Sequence, residues 1–130
     1  MSKGNVIAYI DDDSDDLEIL QEAFVNVDSY TIEGFTDQDA FLSYISTNPH
    51  AICMALIDIN MPLRSGIDLA YIVSAMPQAE NVPVTLYSTS RTLPPNMEKQ
   101  WNYIAKPVSM NELEDTVSRI LEACRRHANQ

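Results

Sequence analysis

Apolar residues fall in five short runs, and stretches of helical periodicity alternate with them along the chain. The first run, Val6-Ile7-Ala8-Tyr9-Ile10, is continuous, as in a strand buried on both faces. Behind it Leu17, Leu20, Phe24 and Val27 recur at helical spacing, which predicts a helix from near Ser14 with one apolar stripe. Tyr30 to Phe35 is less apolar and suits a strand nearer a sheet edge. Thr36 and Asp39 read as a capping box ahead of Phe41, Leu42 and Ile45, so a second helix is predicted there, with Pro49 beyond its end. The most apolar run, Ile52 to Ile57, stops abruptly at Asp58.

Gly66 opens a third helix, with Ile67, Leu69, Ala70, Val73 and Met76 at its apolar positions and Pro77 as its stop. Val82 to Tyr87 is the fourth strand. Between Arg91 and Asn102 the pattern is weakest. Pro94-Pro95 suits a first helical turn, but there is room for about two turns, so this fourth helix is expected to be short or irregular. Tyr103 to Ala105 is a fifth, short strand. Ser109 and Glu112 form a second capping box, and Leu113, Val117, Ile120, Leu121 and Cys124 line the inner face of the last helix. Strand–helix alternation on this rhythm implies an α/β fold, a parallel sheet with helices on both faces. Right-handed crossovers restrict its topology, and ligands in such sheets bind beyond the carboxyl ends of the strands.

The chain has 130 residues, 45% of them hydrophobic, without a repeat or a linker-like tract, so residues 1–130 are read as one domain. A formal net charge of -11 argues against binding nucleic acid or an anionic membrane through a basic face. Cys53 and Cys124 sit in apolar stretches and are read as buried thiols, in preference to a disulfide or a metal pair. The start MSKGN has no apolar signal core, and no run approaches the ~20 residues that span a bilayer, so a cytoplasmic protein is expected.

Chemistry-bearing residues stand at the strand ends. Asp11, Asp12 and Asp13 follow the first strand, Asp58 the third, Ser88 and Thr89 the fourth, and Lys106 the fifth. Two carboxylates ~4 Å apart repel by ~4 kcal/mol at an effective dielectric of 20, so a fold does not crowd acids for stability. A hard cation offsets the repulsion, and carboxylate oxygens with retained waters suit Mg2+. Asp12 and Asp58 are the expected ligands, with Asp11 near or acting through water and the Asn60 backbone carbonyl as a further one. A metal-held carboxylate can attack an activated phosphorus and become an acyl phosphate. On that reading Asp58 is the phosphoacceptor, Lys106 neutralises one phosphoryl oxygen and Ser88 donates a hydrogen bond to another.

Along its whole length the sequence resembles the receiver domains of two-component response regulators. AYIDDDSDD looks like the family's acid pair, which puts the pair at Asp11 and Asp12. ALIDINMPLRSG looks like its phosphoacceptor loop, PVTLYSTS like its fourth strand with Ser88 at the Thr/Ser position, and YIAKP like the end of its fifth strand with Lys106. The resemblance implies a flavodoxin-like five-stranded sheet of order 2-1-3-4-5. It also implies an aromatic switch at Tyr103 coupled to Ser88, a cis peptide bond before Pro107, and Mg2+ as cofactor. A histidine kinase or histidine phosphotransfer protein would be the phosphoryl donor. The chain would act as a stand-alone receiver, a monomer or weak homodimer, passing its signal by protein contact. It would not be an enzyme beyond self-catalysed phosphoryl transfer and slow self-dephosphorylation. The segment between Ser88 and Lys106 is shorter than usual in the family, which leaves the output surface open.

Three other readings compete. The chain could be a phosphorylation-independent interaction module with a receiver fold, but the acids, Asp58 and Lys106 are all kept. An aspartyl-nucleophile phosphatase would carry a second acid where Asn60 stands. Asp11, Asp13, Asp15 and Glu22 match a calcium-loop spacing, but Asp16 replaces the glycine of its turn and a strand pattern precedes it. Within the acidic run, Asp15 and Asp16 are read as an ordinary solvated helix start, and Asp13 fits either role.

Overall fold

Strand β3 (Ile52–Asp58) is buried at every position, as a run with no polar face requires. In the computed structural model, which describes residues 4–128, β1 (Val6–Ile10) and β4 (Val84–Ser88) pair with it in parallel on either side. Strands β2 (Thr31–Phe35) and β5 (Asn102–Ala105) form the edges. The order is β2-β1-β3-β4-β5, as the resemblance implied. Met1–Lys3 and the side chain of His127 lie outside the described residues.

Among the described residues four α-helices cover the sheet: α1 (Ser14–Ala23), α2 (Gln38–Thr47), α3 (Gly66–Ala75) and α4 (Met110–Ala128). One core, between the sheet and α2 and α3, contains Ile10, Phe41, Ile45, Ile57, Leu69 and Leu86. The other lies under α1 and α4 and contains Ile7, Tyr9, Leu20, Leu56 and Ile120. Full burial of each such aliphatic side chain contributes about 1.5–3 kcal/mol, so both layers are firmly held to the sheet.

Local chemistry moved several boundaries. Helix α1 stops at Ala23, short of Val27, because Phe24 turns its N–H back onto Leu20 and Gln21 and the chain leaves the helix there. Helix α2 is capped by Asp37, not Thr36: its carboxylate accepts from Ala40 N at 2.9 Å, and an anion at that point also suits the helix dipole. Glu112 accepts from Val108 N (3.1 Å), one residue before the Ser109 amide that a capping box would use. Strand β4 begins at Val84 because Pro83 has no N–H to give the ladder, although its carbonyl still accepts from Ala55 N at 2.8 Å.

No helix forms between β4 and β5. Two prolines remove donors, and the segment turns through bonds from Met97 N to Pro94 O and from Trp101 N to Glu98 O. Docking onto α3 fixes it instead. Trp101 is buried and its Nε1 donates to Ser74 Oγ at 3.0 Å. The Tyr71 ring stands 4.8 Å from Trp101 edge to face, with its hydroxyl 2.8 Å from Glu98 Oε2.

The cysteines differ from the sequence reading. Cys53 on β3 and Cys124 on α4 form a disulfide, with Cα atoms 5.3 Å apart, inside the usual range for that bond. A separation of 71 residues hid the pairing. So did a register shift between Val6 and Ile7 opposite the start of β3, where Cys53 and Met54 both join the core beneath α4. A disulfide closing a loop this long stabilises by about 2–4 kcal/mol. The denatured chain is therefore expected to take up two equivalents of iodoacetamide only after reduction, and reductant should lower the melting temperature. Full alkylation without reductant would show free thiols.

Candidate functional site

Backbone pairing carries four side chains to one edge of the sheet. Asp58 and Ser88 are the last residues of β3 and β4, while Asp11 and Lys106 follow β1 and β5 directly. Each of the latter pair extends a ladder by one bond, Asp11 N to Phe35 O at 3.1 Å and Lys106 N to Ser88 O at 2.7 Å. Their placement is therefore as rigid as the sheet. All four are buried: Asp11 0% exposed, Asp58 4%, Ser88 2% and Lys106 7%.

Lys106 is the hub. Its Nζ lies 2.8 Å from Asp11 Oδ2, 3.0 Å from Asp16 Oδ2 and 3.2 Å from Asp58 Oδ1, and 5.5 Å from the centroid of the Tyr87 ring. Asp11 is held from two further directions. Tyr9, wholly buried and packed edge to face on Tyr87, donates its hydroxyl to Oδ2, and Asp13 N donates to Oδ1 at 3.0 Å. Asp16 and Tyr9 were not singled out in the sequence as site residues. Asp16 looked like a solvated helix start and Tyr9 like one more core aromatic. Asp13 resolves as the N-cap of α1, accepting from Asp15 N at 2.9 Å.

Asp11, Asp12 and Asp58 each offer a carboxylate oxygen, and the three lie within 4.8 Å of one another. Asp12 and Asn60 are exposed, so this cluster opens to water. An all-oxygen donor set with a solvent side fits a hard divalent cation that keeps part of its hydration.

The loop after Asp58 is folded back against it. A Cβ on Gly66 would come 2.1 Å from the Asp58 carbonyl oxygen and 2.6 Å from Ile59 Cα, so glycine alone fits there. Leu63, 88% exposed, has φ 74, a costly backbone for a bulky residue. The neighbouring turns are braced from α2, where buried Gln38 donates Nε2 to the carbonyls of Pro62 and Arg64, both at 3.0 Å. The bond before Pro107 is trans, contrary to expectation. Trans is the lower-energy isomer of an X–Pro bond, and with Lys106 fixed by its ladder bond the chain reaches α4 without the rarer form.

Electrostatics set these groups apart. Burial, then the charge of Asp11, pushes the Asp58 carboxyl up from 3.8 to about 7, against the opposing pull of Lys106 and the Asn60 amide. Burial disfavours the charge on Lys106, but hydrogen bonds to Asp11 and Asp16 and the fields of Asp58 and Asp11 outweigh it and raise its pKa. Desolvation, then the bond to Asp11, raises Tyr9, which keeps its proton.

Two predictions follow from the crowding and the close packing. The Asp58 carboxyl is raised on folding, so its contribution is full below about pH 4 and is lost as pH climbs through about 7. Without divalent cation, stability should fall across that window. Asp58→Asn should flatten the fall and stabilise the chain at pH 8 by on the order of 2–4 kcal/mol, measured by urea unfolding in EDTA. A wild-type curve that rises over the window would contradict a desolvated Asp58. Gly66→Ala should cost about 1–3 kcal/mol in the same assay.

The sequence model of the response regulator receiver domain matches residues 7–118. The chain is 28% identical over 124 residues to the transcriptional regulatory protein RprY of Bacteroides fragilis (strain YCH46), covering 92% of this chain and 50% of that protein. It therefore spans about half the length of that curated relative. Its fold is similar to that of a CheY-like response regulator receiver domain protein from Methanospirillum hungatei JF-1, with a TM-score of 0.73, 19% identity and 98% of each chain covered. It is likewise similar to the phosphorylated cyanobacterial phytochrome response regulator RcpA, with a TM-score of 0.72, 22% identity and 92% of each chain covered. Among the described residues no helix is long and apolar enough to cross a membrane. With the family's sequence pattern over most of the chain and its fold throughout the described part, this protein belongs to the response regulator receiver domain family.

Proposed function

We propose that this receiver accepts a phosphoryl group on Asp58 from the phosphohistidine of a kinase or phosphotransfer partner, and that the modification changes a protein-interaction surface. The observation that carries the reading is the single ammonium of Lys106 held among Asp11, Asp16 and Asp58, with Asp12 completing an acidic cluster open to solvent. A fold gains no stability from that cluster by itself. It supports transient binding of a cation and a phosphoryl group.

Asp11, Asp12 and Asp58 would hold Mg2+, with the Asn60 carbonyl as a further ligand, and the ion would supply charge neutralisation for the phosphoryl oxygens. Asp58 is the nucleophile. One carboxylate oxygen bonds to phosphorus as the phosphorus–nitrogen bond of phosphohistidine breaks, and the electron pair returns to the imidazole, which takes a proton from solvent. Lys106 gives an N–H to one phosphoryl oxygen as a point charge. The chain acts on no separate substrate: it catalyses its own modification, and water slowly reverses it.

Ser88 ties the site to the surface. Its Oγ accepts from Ser90 N at 3.3 Å, and the Ser90 carbonyl accepts from the Tyr103 hydroxyl. A Ser88 hydroxyl drawn to a phosphoryl oxygen releases Ser90 N, and the carbonyl that holds Tyr103 shifts with it. That is a two-state element biased by a local electrostatic event. The similar RcpA structure, described as phosphorylated, supports the same chemistry here.

Intact mass after incubation with acetyl phosphate tests the reading. A gain of about 80 Da is expected for an acyl phosphate, requiring Mg2+ and abolished by EDTA or Asp58→Asn. No adduct in the wild type, and no response to beryllofluoride, would favour the phosphorylation-independent interaction module.

A further inference from the structure

We infer that Asp16 is a positioning residue that holds Lys106 in the resting chain and is the partner Lys106 gives up when a phosphoryl group arrives. The inference rests on the phosphoacceptor reading and adds a residue to it.

An ammonium has three N–H groups; in the resting site two are given to Asp11 and Asp16, and Asp58 Oδ1 pairs with the charge at 3.2 Å. A phosphoryl oxygen that draws the ammonium toward itself pulls it away from one of these three acids. Asp11 is a costly partner to abandon, because it is wholly buried and no water would replace the lost donor. Asp58 is the nucleophile, and losing its counter-ion as an anionic donor approaches raises the charge repulsion between them. The Asp16 side chain is 39% exposed, against 0% for Asp11 and 5% for Asp58, so water can solvate it once Lys106 leaves.

The local structure presents Asp16 for this role. It lies in the first turn of α1, and the Asp13 cap fixes that turn. Among the described residues its carboxylate accepts no hydrogen bond except the one from Lys106. Its neighbour Asp15 is exposed and makes no ion pair among the described residues, so it supplies the same charge without the contact.

The test compares wild type, Asp16→Asn and Asp15→Asn in the initial rate of Asp58 phosphorylation at subsaturating acetyl phosphate, over a Mg2+ titration. A half-exposed ion pair of this kind corresponds to about a two- to fivefold change. Asp16→Asn should raise the rate by that factor, while the Mg2+ needed for half-maximal rate stays level or rises, and Asp15→Asn should match wild type. Loosening of α1 would instead lower the rate and weaken Mg2+ together. An Asp16→Asn rate at or below wild type overturns the inference. So does an equal rise in Asp15→Asn, which would make the effect one of net charge. An absence of adduct in every protein, wild type included, with no response to beryllofluoride, overturns the phosphoacceptor reading itself, and this inference with it.

Discussion

Lys106 Nζ stands where three acids converge, and the carboxyl edge of the sheet is tolerable because of it. Like charges this close repel by several kcal/mol even at a moderate dielectric. One ammonium cannot neutralise three carboxylates, so the site keeps a negative excess that makes it receptive to a divalent cation. The lysine does this without mobility of its own backbone, since its amide is bonded to the Ser88 carbonyl. The hydroxyl-bearing end of β4 and the ammonium-bearing end of β5 are thus one rigid unit.

The Asp58 side of the site is built differently. Asp58 ends a fully buried strand, and the chain then doubles back so closely that Gly66 has no room for a side chain. Leu63 bears the backbone strain of that reversal, and Gln38, reaching across from α2, holds the carbonyls on either side of it. A residue far from the chemistry in sequence therefore supports the loop on which metal and phosphoryl group would sit. On the opposite face, Tyr9 orients Asp11 through a hydroxyl that burial keeps protonated.

The strands were legible because continuous apolar runs have one good solution, burial on both faces, and because an acid or a lysine directly after such a run must lie at a sheet edge. That is why Asp11, Asp58, Ser88 and Lys106 could be placed together from spacing alone. Asp16 could not, since its reach to Lys106 depends on how α1 sits on the sheet, and an acid in a first helical turn has an ordinary explanation. Tyr9 was hidden for the opposite reason: its ring is core, and only its hydroxyl belongs to the site. The stretch from 89 to 101 carried too few periodic positions to choose between a short helix and turns. Trp101, which decides the matter by docking on α3, acts through tertiary contact. The Cys53–Cys124 bond and the trans geometry at Pro107 are likewise choices of the assembled fold.

The covalent tie between β3 and α4 also divides the site topologically. Asp58, Ser88 and Lys106 all lie within the ring closed by Cys53 and Cys124, while Asp11, Asp12 and Asp16 lie outside it. In a chain unfolded with the bond intact, Asp58, Ser88 and Lys106 stay on one closed loop. The acids that complete the site remain on a free N-terminal arm. They return only when β1 inserts between β2 and β3, so assembly of the acidic cluster depends on the seating of a single interior strand.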